Sequence, residues 1–506
     1  MVLCKRETLL LIFLILWSGL FISLDFYADF PPAYDDAFYL SIGKSFQEGK
    51  GYEDISFPWR QNMLLVPSGF PLLLSLYWKF VHPHIIILKL FLAALMICSA
   101  WFCYLLMKKF LPPLESYGIA LAFSSAWWFV YMSNSVLSET VFIPLLYAAC
   151  LLAMKSEEPS VNRTYGWIAL LCWVLLARTR GLGMPLLFGY TVWLAIRKDW
   201  KKLFTGAGIT AICAIAERSL VVKEFAAPGY LHAFNEEYPL FSSRFFPAVS
   251  HLSAITFHNF WSFAGSMYTN FLFPYFYNLV TMNPIKRIFV VALFINGCFG
   301  AWILWKQKPA VRPIITAALF YWTTVFFWCD DITYAMFRYT FPFFPFLLLT
   351  AFFPVFQALR RIKFPWRNAI CAGILVVVIA NQIWRSFSQS FEDPFVPDRN
   401  DFKALHSFIS SVPHKPDVIL SQQSYYTFLK TGVHSLNIFL NGKAICAYAL
   451  TYPTKDIWLI VNNKNAPQPK LIDCGSLSFV SDTKPLRIQG IWSLYRIKEI
   501  QTSANH

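Results

Sequence analysis

An apolar run from Thr8 to Leu24 is followed by ten more, near residues 84 to 107, 115 to 132, 138 to 154, 164 to 180, 182 to 196, 203 to 217, 288 to 305, 313 to 329, 337 to 356 and 369 to 387. A helix needs on the order of 20 apolar residues to cross about 30 Å of hydrocarbon. The succession therefore predicts an α-helical polytopic membrane protein with about eleven transmembrane helices, several of them short. Composition agrees, since 57% of residues are hydrophobic, 19% aromatic and only 14% charged; that balance dissolves most of a chain in lipid. The first run follows Lys5-Arg6 as a secretory signal would. No A-x-A-like site comes after it, and Asp25-Phe26-Tyr27 is a poor cleavage context, so an uncleaved first helix is expected.

The net charge of +15, from 43 basic and 28 acidic residues, would suit a nucleic-acid partner only if the cations lined one soluble face. They lie instead in short clusters between apolar runs, which orients helices in a bilayer and excludes nucleic acid as the expected partner. With the N-terminus in the cytoplasm, the inside loops carry Lys108-Lys109, Lys155 with Arg163, Arg197-Lys198 with Lys201-Lys202, Lys306 with Lys308 and Arg312, and Arg360-Arg361 with Lys363 and Arg367. Every inside loop is then basic. Most of the eleven cysteines sit within apolar runs, and no CxxC or Cys/His spacing occurs. They read as small buried hydrophobes, not as disulfides or metal ligands.

The same threading puts Asp35-Asp36, Glu139, Arg178 with Arg180, Asp330-Asp331 and Arg338 at the outer ends of different helices or loops. Ionisable groups at a membrane surface tend to line a pathway or a site. Two adjacent carboxylates raise each other's pKa and lose solvation there, which points to use, although acidic residues also cap the helix that follows. Each other charge has its plain alternative. Glu139 after Ser138 suits a solvated cap, Arg178 and Arg180 suit snorkelling to headgroups, and Arg338 suits a local partner for Asp330-Asp331. His258 reads as an interfacial histidine, and Tyr52 and Phe70 as packing aromatics.

Three segments are expected outside on that face. Asp25 to about Pro71 holds an amphipathic helix around Ala37 to Gln47, a turn at Gly49-Lys50-Gly51-Tyr52 and the stretch Pro67-Ser68-Gly69-Phe70-Pro71 leading into an apolar half-helix. About Arg218 to Lys286 is aromatic-rich and suits interfacial helices around His258-Asn259-Phe260-Trp261. After about Phe391 the long apolar runs stop. A helix candidate (Asp401 to Ser411) and strand candidates (Asp417 to Leu420, Ile457 to Val461, Ile491 to Ile497) predict a small soluble α/β domain over 391–506, beside a transmembrane domain over 1–390. No internal repeat is evident.

The pattern Asp35-Asp36-x-x-Tyr39-Leu40, then Gly49-x-Gly51-Tyr52, then Pro67-x-Gly69-Phe70-Pro71, resembles the first outer loop of bacterial GT-C superfamily glycosyltransferases. The similarity is to the prokaryotic relatives of protein O-mannosyltransferases and to the lipid A aminoarabinose transferases. Leu137-Ser138-Glu139-Thr140 resembles the family's second acidic motif, and Arg178-x-Arg180-Gly181 and Arg338-Tyr339-x-x-Pro342-x-x-Pro345 match recurring segments. The resemblance covers about residues 1 to 390 and rests on four loose motifs in the expected order and on the expected side.

That resemblance implies transfer of a sugar from a polyprenyl-phosphate donor to a glycolipid, polysaccharide or protein acceptor, in an inverting displacement at the outer face of an inner membrane. Asp35 would be the general base that takes the acceptor proton, with Asp36 tuning it or exchanging roles with it and Glu139 orienting the acceptor or steadying Asp35. Arg338, Arg178 and Arg180, with Tyr339 beside them, would bind the donor phosphate and stabilise its growing charge. No cofactor and no metal is implied. The aminoarabinose transferases generally carry an Arg shortly after the acidic pair and a Glu-Lys pair before the proline-rich turn, where Phe38 and Leu65-Val66 stand here; the departure argues against aminoarabinose as the sugar. A transporter or flippase of lipid-linked sugars is the alternative, but it would need charges spread through the bilayer depth. A membrane scaffold displaying the C-terminal domain would not need the acidic pair.

Overall fold

The computed structural model describes residues 5–24, 26, 34–56, 61–62, 67–82, 84–158, 163–219, 253–261, 263, 284–327, 336–361, 366–391, 396–413, 415–421, 424–437, 457–462, 472–473, 477–481, 487–489 and 492–501. Asp330, Asp331 and the side chain of Asp35 fall outside them, as does most of the expected interfacial segment after residue 219.

Every apolar run forms a helix. They are α1 (Lys5–Ser23), α4 (Ile85–Met107), α5 (Pro113–Ser124), α6 (Trp127–Ser133), α7 (Glu139–Ser156), α8 (Thr164–Thr179), α9 (Gly183–Ile196), α10 (Trp200–Ser219), α11 (Pro284–Gln307), α12 (Arg312–Phe326), α14 (Phe344–Arg361) and α15 (Arg367–Phe391). Among the described residues, four stretches are long and apolar enough to cross a membrane: Ile85–Met107, Glu139–Ser156, Arg338–Arg361 and Asn368–Phe387. Glu7–Ser23, Thr164–Thr179 and Gly183–Ile196 are shorter apolar helices. The run near 115 to 132 breaks into α5 and α6 where Ser124 and Ser125 both turn their hydroxyls back to the Leu121 carbonyl, a local bond that competes with continued helix.

The bundle turns apolar side chains outward as well as inward. Leu9, Leu16, Leu20, Leu90, Leu171, Ile212 and Ile295 are exposed, while a continuous aromatic and aliphatic core runs from Leu14 through Phe123, Tyr147 and Trp173 to Phe356. Exposed apolar surface on this scale is a lipid-facing coat. Inside, small polar groups tie helices by side chain: Trp17 Nε1 donates to Ser125 Oγ at 2.8 Å, Asn134 Nδ2 to the Ile22 carbonyl at 3.1 Å, and Asn296 Nδ2 to the Ala351 carbonyl at 2.6 Å.

Two elements are built upon one end of this bundle. The amphipathic helix α2 (Tyr34–Gln47) starts three residues earlier than expected, so the acidic pair lies inside its first turn. Gly49 (φ 71°) and Gly51 (φ 86°) then reverse the chain in the left-handed region that favours glycine, and Tyr52 stacks back on Phe46 with ring centres 5.4 Å apart. The half-helix α3 (Gly69–Phe80) packs along α2. Trp78 Nε1 donates to the Leu40 carbonyl at 2.8 Å, and Tyr39 and Phe70 meet edge to face at 5.1 Å.

The C-terminal residues form α16 (Val396–Ser411), α17 (Ser424–Thr431) and a mixed sheet. With β1 (Glu53–Asp54) and β2 (Gln61–Asn62) pairing near α2, the sheet strands are β3 (Val418–Ser421), β4 (His434–Asn437), β5 (Ile457–Asn462), β6 (Ile472–Asp473), β7 (Leu477–Ser481), β8 (Arg487–Gln489) and β9 (Trp492–Gln501). Their order is β4-β3-β5-β9-β7-β6 with β8 beside β9. β3 is parallel to β4 and β5, and the remaining pairs are antiparallel. This part rests on α2: the Ser435 amide donates to the Ser56 carbonyl at 2.8 Å, and Lys44 Nζ lies 5.3 Å from the Phe428 ring centre.

Candidate functional site

Glu139 is the first residue of α7, and its side chain is fully buried. A carboxylate without water requires cations and donors, and it has both. Arg180 Nη1 and Arg338 Nε pair with Oε1, Arg338 Nη2 donates to Oε2 at 3.1 Å, and Ser138 Oγ donates to Oε2 at 3.1 Å. The Tyr39 phenol meets Ser138 Oγ at 3.3 Å. Ser138 spends its only proton on Glu139, so Tyr39 is the donor in that contact. Burial, reinforced by the Glu139 carboxylate, pushes the Tyr39 phenol well up, which keeps it in the donating form.

Local chain geometry sets each partner. Arg180 leaves the end of α8 in extended conformation (φ −150°, ψ 143°), which turns its side chain inward. Its guanidinium lies 5.4 Å from the Tyr339 ring centre, within cation–π range. Arg338 sits on α13 (Met336–Thr340), which passes through a 3-10 turn at Phe341–Phe343 into α14. Pro342 and Pro345 suit that corner because a helix start leaves their missing N–H groups unneeded. Two phenols fix it: Tyr321 donates to the Tyr339 carbonyl at 2.7 Å and Tyr147 to the Pro342 carbonyl at 3.0 Å. Arg338 is the more open guanidinium, its side chain 23% exposed against 10% for Arg180.

The structure thus gathers Glu139, Arg180, Arg338 and Tyr339, and brings α2, bearing Asp35 and the fully buried Asp36, against Glu139 through Tyr39 and Ser138. It does not bring Arg178 to them. Arg178 Nη1 pairs with Glu217 of α10 at 2.5 Å, its Nη2 donates to the Thr210 carbonyl at 2.7 Å, and Ser68 Oγ donates to the same Glu217. A Cβ on Gly69 would lie 2.5 Å from the Arg178 carbonyl oxygen, so this second cluster is a brace that seats α3 against α8. Glu139 is no solvated cap, and Tyr52 and Phe70, at 2% and 1% exposure, are packed.

Sequence reasoning passed over Tyr39 and Ser138 as chemical groups, and also Lys89. Lys89 is fully buried in the first turns of α4. Its signal was available, since it is a lone cation inside an apolar run. Among the described residues, no three His, Cys, Asp or Glu side chains gather around a point that would hold a metal ion.

Residues 34–444 match the family model described as "Predicted membrane protein (DUF2079)". The chain belongs to the DUF2079 family. No curated protein sequence matches it. Among solved structures, this DUF2079 chain is similar to ArnT from Cupriavidus metallidurans in the apo state, with a TM-score of 0.58, 9% identity and coverage of 97% of this chain and 98% of that one. The same ArnT bound to undecaprenyl phosphate gives 0.55, 10%, 97% and 98%. The oligosaccharyltransferase of Archaeoglobus fulgidus in the apo form gives 0.52 and 13%, covering 90% of this chain and 69% of that one. These likenesses establish the GT-C fold of a polytopic membrane protein, as the motif order implied.

Proposed function

We propose that this protein is a membrane glycosyltransferase that moves a sugar from a polyprenyl-phosphate donor to a lipid, glycan or protein acceptor at the outer face of an inner membrane. The observation that carries the reading is the dry Glu139–Arg180–Arg338 cluster placed against the helix that bears the acidic pair, within a GT-C fold whose solved examples include ArnT bound to undecaprenyl phosphate. In this reading residues 1–390 span the membrane and 391–506 form a soluble domain outside it, resting on α2.

The chemistry follows from the residues. Asp35 accepts the acceptor's proton as its oxygen or nitrogen attacks the anomeric carbon, and the bond from that carbon to the phosphate oxygen breaks. The lipid phosphate leaves with the bonding pair. Asp36 tunes the base. Arg338, the more open guanidinium, meets the leaving phosphate; Arg180 and Glu139 hold it in place, and the planar Tyr339 ring backs Arg180. Fixed donors in a poorly solvated site stabilise charge at the moment it grows. Arg178 belongs to the brace on α10 and contributes to the site through α3. The sugar is not aminoarabinose in this reading, because Phe38 and Leu65-Val66 replace that group's charged residues.

A transporter of lipid-linked sugars is less well supported. Among the described residues, the buried charged side chains of the helical bundle (Asp36, Lys89, Glu115, Glu139 and Arg180) lie at or near helix ends, whereas translocation requires them at mid-depth. Mass analysis of cell-envelope glycans and lipids with and without the protein tests the function. Loss of one glycosylated species, with its acceptor accumulating unmodified, is expected. Unchanged envelope species combined with an altered inside-to-outside distribution of a lipid-linked sugar would favour the transporter.

A further inference from the structure

Lys89 has no place in the chemistry above, and a lysine with no exposure is rare in any protein. It lies on the inward stripe of α4 with Ile85, Leu88, Leu92, Ala93 and Met96, all buried, while Ile86, Ile87, Leu90 and Phe91 face outward with 42–56% exposure. Leu88 and Leu92 share one packed cluster with Tyr39 and Leu40 of α2, Phe70 of α3 and Val136 before α7. Leu40 follows Asp36 by one helical turn, and so shares its face. Lys89 and Asp36 are therefore both buried on helices that meet in this one cluster.

Charge decides what the ammonium does there. Glu139 is matched twice over, by Arg180 and Arg338, so that cluster carries a positive excess and has no use for a third cation. Asp36 is buried on α2, with Asp35 beside it in the sequence, and the buried Glu53 of β1 adds a further carboxylate at that end. Carboxylates at that end thus call for a cation beyond the two guanidiniums, and among the described residues Lys89 is the buried lysine. An uncompensated charge in such a place is strongly destabilising.

We infer that Lys89 is the counter-cation of the Asp35-Asp36 pair, a positioning residue that keeps the pair ionised and aimed. The inference rests on the proposed glycosyl transfer for its purpose, but not for its first test. Groups that bear on the pair's titration are Tyr39 on α2, Glu139 on α7 with Arg180 and Arg338, Glu53 on β1, and Lys89 itself.

The test uses full-length protein purified in detergent and reconstituted in liposomes. Lys89→Met should lower the melting temperature by roughly 5 to 10 °C, and Lys89→Met combined with Asp35→Asn or Asp36→Asn should recover most of that loss, because the partner charge is gone too. If the single variant fails to insert, the double variant should still accumulate in the membrane. Losses that simply add with both aspartates, or recovery by Glu53→Gln instead, overturn the pairing. The second readout is the pH profile of transfer: Lys89→Met should move its acid limb up by about one pH unit, and Lys89→Arg should leave it in place. An unmoved limb beside full thermal coupling makes Lys89 a fold staple and overturns the positioning role. If wild-type protein transfers no lipid-linked sugar while thermal coupling persists, the pairing stands and the glycosyltransferase reading fails.

Discussion

The two ends of the helical bundle use the same residue types to opposite effect. At one end lie separate pairs: Lys108 with Glu7, Lys109 with Glu158 at 2.9 Å, Arg197 with Glu157 at 3.4 Å and Arg360 with Glu115 at 2.9 Å. Most have side chains a quarter to a half exposed, and each joins two helices, with Glu157 also accepting from Trp193 Nε1 at 3.1 Å. At the other end a single carboxylate with no exposure, Glu139, is shared between two guanidiniums and a hydroxyl. Exposed pairs contribute about 0–1 kcal/mol, whereas removing one member of a dry pair costs about 3–5 kcal/mol. The first end is laced; the second is committed to a fixed arrangement of charge, which is what preorganised chemistry requires.

The sharpest way to break this contrast is Glu139→Gln. It leaves the buried Arg180 and the partly buried Arg338 side by side with no carboxylate, and a loss of about 3–5 kcal/mol is expected, read as a lower melting temperature and less protein in the membrane. Stability within about 1 kcal/mol of wild type would mean that water or lipid reaches the cluster, and the two ends would differ less than their burial indicates. Arg338→Ala comes next. It should lower in-membrane turnover with saturating donor by about 10² to 10³, the scale of one preorganised donor, and Arg338→Lys should recover part, since an ammonium keeps charge without the planar fork. Arg178→Ala should instead act through stability, as the brace with Glu217 and Ser68 predicts. Collapse of turnover in stable Arg178→Ala with near-normal Arg338→Ala would move the phosphate site to the Arg178 brace.

The bundle was legible because lipid leaves little choice: an apolar run of sufficient length becomes a helix, and each did. The C-terminal sheet was legible only in part. β3, β5 and β9 are Val-, Ile- and Trp-bearing strands, whereas β6 and β8 are two and three residues long and carry no period to read. In the site, motif order brought out Glu139 and Arg338, but not what they do to each other. Arg178 and Arg180 show why. They are two residues apart at one helix end, and the extended backbone at Arg180 alone sends its guanidinium to Glu139 while Arg178 turns to Glu217. No spacing rule separates them. The start of α2 was also misplaced, because three residues at a helix terminus leave hardly any trace in periodicity.

Asp35→Asn tests whether the committed end does the chemistry. The substitution keeps shape and removes the proposed base, so the protein should still insert, with melting lowered less than by Lys89→Met, while transfer falls by about 10²-fold or more. Asp36→Asn should be milder in transfer. Near-normal transfer by the Asp35 variant, with a deep loss in the Asp36 variant, would exchange the roles of the pair and leave the comparison of ends intact.

The smallest expected effect belongs to the laced end and closes the comparison from the other side. Lys109 and Glu158 have side chains 44% and 42% exposed, so solvent screens them and two long side chains lose rotamer freedom in meeting. Lys109→Met should therefore change stability by less than about 1 kcal/mol and leave transfer unaltered. The charge itself serves another purpose if this end faces the cytoplasm, because basic residues between helices set orientation. Replacing Lys108 and Lys109 together should then disturb topology more than stability. Reporter fusions at residues 200 and 363 give the measurement, and both are expected inside in the wild type. A large thermal loss from Lys109→Met alone would show that the exposed pair is held as tightly as the buried cluster, and exposure would cease to explain the difference between the two ends.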